Sequence, residues 1–200
     1  MACSLATTYC RELRRDFSMI TKDDIERFLQ EINDEMEKRD VTGEIVICGG
    51  AVMTMVYEAR PSTKDLDGLF APIGPINEIA RNIATREGLE DDWLNDAAKG
   101  FIDTSRMELV TIREYGNLTV RMPDAEAMLA MKLTSARLVG KDRDDALFFI
   151  EYLNVESEEQ LFDIIERNIA PQRLTPMAHF FTIELFQQYL QKKETDLTAE

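Results

Sequence analysis

The reading of "VICGGAVMTMVYEARPSTKDLDGLF", Val46 to Phe70, decides the fold. An apolar, β-branched run ends in two glycines, Gly49 and Gly50, and Asp65, Leu66 and Asp67 begin fifteen residues after the second. The run into the glycines reads as a buried strand, "AVMTMVYEAR" as a helix stopped by Pro61, and "DLDGLF" as a second short strand. Residues i and i+2 of a strand share a face, so Asp65 and Asp67 are expected side by side with Leu66 on the packed face. Neighbouring carboxylates repel, and burying them unpaired is costly. A divalent cation removes that cost, and magnesium is typically held by one or two carboxylates together with substrate phosphates. Two-metal phosphoryl-transfer sites use the same arrangement. A strand that ends in two glycines and opens a helix exposes backbone N–H groups to an anion, and glycine lets a phosphate come close. Each half has a plainer reading as a turn. Their order, spacing and strand–helix–strand setting favour the joint one.

Outward from this unit, residues 22–39 carry Ile25, Phe28, Leu29, Ile32 and Met36 at helical spacing, with Thr21 as a candidate N-cap. Residues 75–87 repeat the pattern with Ile76, Ile79 and Ile83, closed by Gly88. "DDWLNDAAKGF" reads as a short helix and loop, and "RMELVTIREYGNLTVRM" as a hairpin around "EYGN". After Pro123 the pattern is helical to the end: "DAEAMLAMKLTSARL", "KDRDDALFFIEYL", "SEEQLFDIIERNI" capped by Ser157, and a last helix opened by Pro176 whose final seven residues should fray. The expected fold class is α/β (α+β), a small mixed sheet flanked by helices. Residues 1–123 form the core with its N-terminal helix. Residues 124–200 form a helical segment packed on that core, with no firm boundary between the two.

Composition narrows the class. The chain has 200 residues, 44% hydrophobic and 30% charged, which is ordinary for a globular protein able to bury a core without staples. Three cysteines, Cys3, Cys10 and Cys48, fit neither a disulfide framework nor a zinc pattern, so a reducing compartment is expected. No apolar run approaches the roughly 20 residues a membrane helix needs, and the first residues lack a signal-peptide h-region. The expectation is a cytoplasmic protein without a membrane partner. A net charge of -15 disfavours sequence-independent nucleic-acid binding through a general basic field, though it leaves room for a local basic groove.

At the glycine pair and the Asp-x-Asp, the chain resembles the nucleotidyltransferase superfamily, whose signature is Gly-Ser or Gly-Gly, a spacer, then Asp-x-Asp or Asp-x-Glu. It is closest to the small prokaryotic branch of AbiEii-like abortive-infection toxins, through "GGAVMTMVYEARPSTKDLD" and the later "MLAMKLTSARLVGKDRDDALFFI". "DWLND" followed by "GF" also resembles uncharacterised relatives in that branch, and the likeness covers residues 44–153. It implies magnesium (or manganese) on Asp65 and Asp67, and nucleotide phosphates passed across the backbone of Gly49 and Gly50. It also implies a cation from Lys132 aimed at the triphosphate, with Asp142 and Asp145 lining or bracing the cleft. The plainer readings are a snorkelling lysine for Lys132 and surface or helix-end acids for the other two.

The chain departs from the family at three points. Gly50 stands where serine is frequent, Lys141 stands where arginine is usual, and no acid clearly supplies a third metal ligand. Glu108 is the leading candidate for that ligand, and Asp103 is another.

The implied activity is magnesium-dependent transfer of a nucleotidyl group from a nucleoside triphosphate to an RNA (a tRNA end) or protein acceptor. In a toxin–antitoxin setting, an antitoxin partner would silence it. The alternative is a degenerate member that binds nucleotide or protein without turnover, and a plain helical interaction protein is the third reading. Elsewhere, His179 reads as a packing residue and Trp93 as a loop anchor, with closure over a base as its rival. Arg11, Arg14 and Arg15 read as a solvated helix face. The ten methionines read as core filler.

Overall fold

The computed structural model describes residues 19–135 and 140–198; Cys3, Cys10, Arg11, Arg14 and Arg15 lie outside them. The fold is mixed α/β, as expected. Strands β2 (Gly43–Cys48), β4 (Leu66–Ala71), β5 (Leu94–Asn95), β6 (Leu109–Glu114) and β7 (Leu118–Pro123) form one sheet in the order β5-β4-β2-β7-β6. A second sheet pairs β1 (Ile20–Thr21) with β3 (Ser62–Thr63), antiparallel. The described residues fall into two compact units, 19–97 with Arg113–Val120, and Ala98–Ile112 with the described residues from Arg121 onward. Among the described residues no helix is long and apolar enough to cross a membrane.

In the first unit, helix α1 (Lys22–Lys38) starts where the sequence places its cap. The Thr21 hydroxyl accepts from the Asp24 N–H at 3.3 Å, and the Asp24 carboxylate accepts from the Thr21 N–H at 3.2 Å. Its stripe, Ile25, Phe28, Leu29, Ile32 and Met36, is buried, worth about 1.5–3 kcal/mol per large side chain. Helix α2 (Gly49–Met55) begins on the first glycine and ends after seven residues, well before Pro61. Helix α3 (Ile73–Glu87) closes on a left-handed Gly88 and buries Ile76, Ile79 and Ile83. Pairs Arg86–Glu31 and Arg27–Glu87 tie α1 to α3 at the surface, where such pairs contribute little beside the apolar face between the helices.

The segment read as a short helix near Trp93 is instead strand β5, parallel to β4, followed by a 3-10 turn at Ala97–Gly100. Trp93 accounts for the difference. Its indole N–H donates to the Ala80 carbonyl at 2.9 Å, its ring stands edge-on to Phe28, and its carbonyl accepts from the Leu66 N–H at 2.6 Å. The buried ring thereby lays the following backbone against β4.

Strands β2 and β4 are antiparallel, with Cys48 opposite Asp67 and Ile47 opposite Gly68. A Cβ on Gly68 would stand 2.6 Å from the Val46 carbonyl oxygen, so only glycine lets the two backbones approach this closely. Gly68→Ala is expected to cost about 1–3 kcal/mol as the strands part. A lowered urea midpoint with an unchanged slope would show it.

The second unit contains helices α4 (Ala125–Leu133), α5 (Lys141–Tyr152), α6 (Glu158–Asn168) and α7 (Pro176–Thr198). The Asp124 carboxylate caps α4 by accepting from the Ala127 N–H at 2.8 Å, and Ser157 caps α6 by accepting from the Gln160 N–H at 3.2 Å. Ala127, Met128, Leu129, Ala130 and Leu133 of α4 are fully buried, as are Ala146, Phe149 and Ile150 of α5. Helix α7 runs to Thr198, through the segment expected to fray, because no proline or glycine follows Pro176 to stop it.

Candidate functional site

The geometry around the glycine pair follows from the β2–β4 register. Because Cys48 faces Asp67, the residue after Cys48 lies beside the Asp67 side chain. Gly49 has φ +62°, a conformation that L side chains rarely adopt, and a Cβ there would lie 3.4 Å from Asp67 Oδ2. The carboxylate thus stands over the turn that opens α2. No side-chain hydrogen bond caps this helix at Cys48. Asp65 precedes β4 by one residue. It and Asp67 are half-buried, while Leu66 between them is fully buried, the alternation expected of a pleated strand. Among the described residues the Asp67 carboxylate has no hydrogen bond or ion pair.

Gly50 has a different neighbourhood. A Cβ at this position would stand 2.5 Å from the Thr63 hydroxyl oxygen and 3.6 Å from Arg60 Nη1. That space is already taken, so the serine frequent at this position in nucleotidyltransferases would not fit without displacing buried Thr63. The Thr63 hydroxyl donates to the Asp65 carbonyl at 3.1 Å, tying the glycine turn to the entry of β4. Thr63 and Arg60 were not singled out from the sequence. The signal lay in the alternation Thr63, Asp65, Asp67, which extends the Asp-x-Asp period one step upstream. The pairing of β3 with β1 that fixes Thr63 had no local signature.

Lys132, Asp142 and Asp145 come together within the second unit. Lys132 Nζ lies 2.6 Å from Asp142 Oδ1 and 2.9 Å from Asp145 Oδ2, and the Ser135 hydroxyl donates to Asp142 Oδ2 at 3.3 Å. Lys132 and Asp145 are buried, Asp142 less so. Burial pushes the Lys132 pKa down, but the Asp145 charge and the hydrogen bond to Asp142 outweigh it and hold the ammonium above its ordinary value. The three charges sum to one negative, so the lysine expected to meet a triphosphate is shared between two acids and braces α4 against α5.

Glu108 is exposed, just ahead of β6 in the second unit, and its carbonyl accepts from the Asp124 N–H at 3.0 Å. Among the described residues no group of three His, Cys, Asp or Glu is placed to hold a metal ion. The carboxylate at the turn is that of Asp67, and Asp65 lies two residues before it. Two carboxylates suit magnesium when water and substrate phosphates fill the rest of its shell, and they are too few for a metal cage built by protein alone. The residues therefore fit a metal that arrives with the triphosphate. Trp93, fully buried, anchors the loop and is not available to a base. His179 is exposed and stacks on Phe162 at 4.5 Å, a packing role.

No family model matches this chain, and neither a curated protein nor a solved structure matches it.

Proposed function

We propose that this chain is a magnesium-dependent nucleotidyltransferase of the cytoplasm. It takes a nucleoside triphosphate and moves the nucleotidyl group to a hydroxyl of an RNA or protein acceptor. The acceptor oxygen bonds to the α-phosphorus, the bond from that phosphorus to the bridging oxygen breaks, and pyrophosphate leaves with the electron pair. The acceptor proton passes to solvent. The observation that carries the reading is the Asp67 carboxylate over the left-handed Gly49 turn, 3.4 Å from the place of an absent Cβ. A carboxylate beside the glycine turn that opens a helix is the pairing a metal–triphosphate complex would use.

Magnesium, when bound, supplies neutralisation of phosphate charge. The chain does the rest by holding parts in place: the turn N–H groups donate to phosphate oxygens, and the paired strands fix the acids that receive the metal. A toxin silenced by an antitoxin partner is the setting suggested by resemblance.

The test is label transfer from each α-labelled triphosphate with magnesium to total RNA and to candidate proteins, comparing the chain with Asp65→Ala and Asp67→Ala. Transfer by the parent and its loss in both variants supports the enzyme. Transfer that survives both substitutions sinks it. A second reading, a nucleotide-binding module without turnover, is favoured by one observation: the lack of a three-acid metal group among the described residues. Tight triphosphate binding with no transfer by the parent chain selects it.

A further inference from the structure

We propose that the second unit holds a nucleobase-binding cleft built by Phe101, Arg173 and Asn168. The inference uses neither Asp67 nor a metal, so it stands apart from the nucleotidyl-transfer reading above. Two stretches of this unit, 99–104 and 168–173, enclose a cleft of about 330 Å³. That is at the lower end of the roughly 300–1,000 Å³ range of small-molecule sites. Arg173 joins the two stretches. Its guanidinium donates to the Gly100 carbonyl and lies over the Phe101 ring, 4.3 Å from the centroid. The result is a flat surface, part aromatic and part cationic, on which Phe101 stays 38% exposed. Such surfaces hold the face of a heteroaromatic ring by stacking.

Asn168, the last residue of α6, lines the same cleft and is only 5% exposed. Its Nδ2 donates to the Ile164 carbonyl at 3.0 Å. That bond fixes which way the amide points, because a carbonyl can only accept. Oδ1 is the other end, and among the described residues it accepts no hydrogen bond. A side chain buried to this degree normally has its acceptor filled. The cleft is where a donor can reach it. The Asp103 carboxylate, also on the cleft, is already engaged: it accepts from the Ser105 hydroxyl at 2.5 Å and the Ser105 N–H at 3.1 Å.

A matching ligand has a flat π-face for the Phe101–Arg173 surface and an N–H at its edge for Asn168 Oδ1. Nucleobases have both, adenine and cytosine through the exocyclic amine, guanine and uracil through a ring N–H. A phosphate or carboxylate has neither the face nor the donor, although a guanidinium is near. An aliphatic ligand leaves Asn168 unfilled. The base arrives either on a free nucleoside or on single-stranded RNA. The chemistry at the cleft is the same for both, and the experiment separates the two sources.

Equilibrium dialysis of the full chain measures dissociation constants for adenosine, for purine riboside, which lacks the amine, and for a single-stranded oligoadenylate tetramer. The parent chain should bind adenosine about 10-fold more tightly than purine riboside, the worth of one hydrogen bond. Phe101→Ala should weaken every ligand about 10- to 100-fold through lost stacking. Asn168→Leu should bring adenosine down to the level of purine riboside, so that their ratio falls to about one. Asp67→Ala should leave all three constants unchanged. A tetramer held more tightly than adenosine assigns the base to an RNA strand, and equal affinities assign it to a free nucleoside. Equal affinity of the parent for adenosine and purine riboside overturns the proposal, since solvent alone then fills Asn168. So does unchanged adenosine binding in Phe101→Ala, or an Asn168→Leu chain with a lowered thermal midpoint and an unchanged ratio, the mark of a merely structural asparagine. Should Asn168→Leu fail to fold, the ratio in the parent together with Phe101→Ala decides. Absence of adenosine binding by the parent at millimolar concentration also overturns it and leaves the nucleotidyl-transfer reading standing.

Discussion

Lys132→Ala is expected to cost about 3–5 kcal/mol of stability, the usual consequence of removing one partner from a buried ion pair. The substitution leaves the buried Asp145 carboxylate and the partly buried Asp142 without the cation that compensates them. Urea denaturation followed by circular dichroism would report the loss as a lowered midpoint. A triple replacement, Lys132→Met with Asp142→Asn and Asp145→Asn, removes the charges together and should recover much of the stability, because no ion is then left unpaired. Unchanged stability in the single variant would mean that the cluster does not brace the helices.

The same group sets an alkaline limit. The folded-state pKa of Lys132 is raised, so its contribution is fully present below the ordinary lysine value of 10.5 and is lost as pH rises through the folded value. A stability profile taken through that range should fall in the parent chain, and the Lys132 component of the fall should be missing in Lys132→Met.

Asp67→Asn should behave in the opposite way, with nucleotidyl transfer lowered at least about 100-fold and stability kept or slightly increased. The carboxamide has the shape of the carboxylate, so β4 keeps its pairing with β2 and the Gly49 turn keeps its neighbour. What disappears is the charge. Among the described residues that carboxylate has no compensating partner, so the fold loses little with it. Single-turnover transfer across a magnesium series separates the causes. Loss of metal recruitment appears as a higher magnesium requirement, and loss of the chemical step as a lowered plateau. Full activity at every magnesium concentration would exclude Asp67 from the site.

Much of the first unit was legible because its signals are local. The Thr21 cap, the Ile25-to-Met36 stripe and the β-branched run into Gly49 each depend on residues a few positions apart. Local signals also led to error. "DDWLNDAAKGF" reads as a helix by composition, yet the Trp93 indole bonds to Ala80 and holds Leu94–Asn95 against β4, a partnership that spacing along the chain does not reveal. The Asp67–Gly49 approach could be anticipated from strand–turn–strand logic. The crowding of Gly50 by Thr63 could not, since it depends on β3 pairing with β1 across some forty residues. The acids that engage Lys132 lie ten and thirteen positions further along the chain, and nothing in their local pattern distinguishes mutual neutralisation from a shared ligand.

The close backbone contact between Gly68 and Val46 has a consequence for how this protein can change. Asp67 is locked to its neighbour strand by an uninterrupted five-pair ladder, and a slip of one position would turn it toward the interior. The acid's orientation is therefore inherited from the hydrophobic centre and cannot drift by degrees. Divergence toward new acceptors is left to the surrounding loops, while amide protons of this ladder should be among the slowest in the molecule to trade with deuterium.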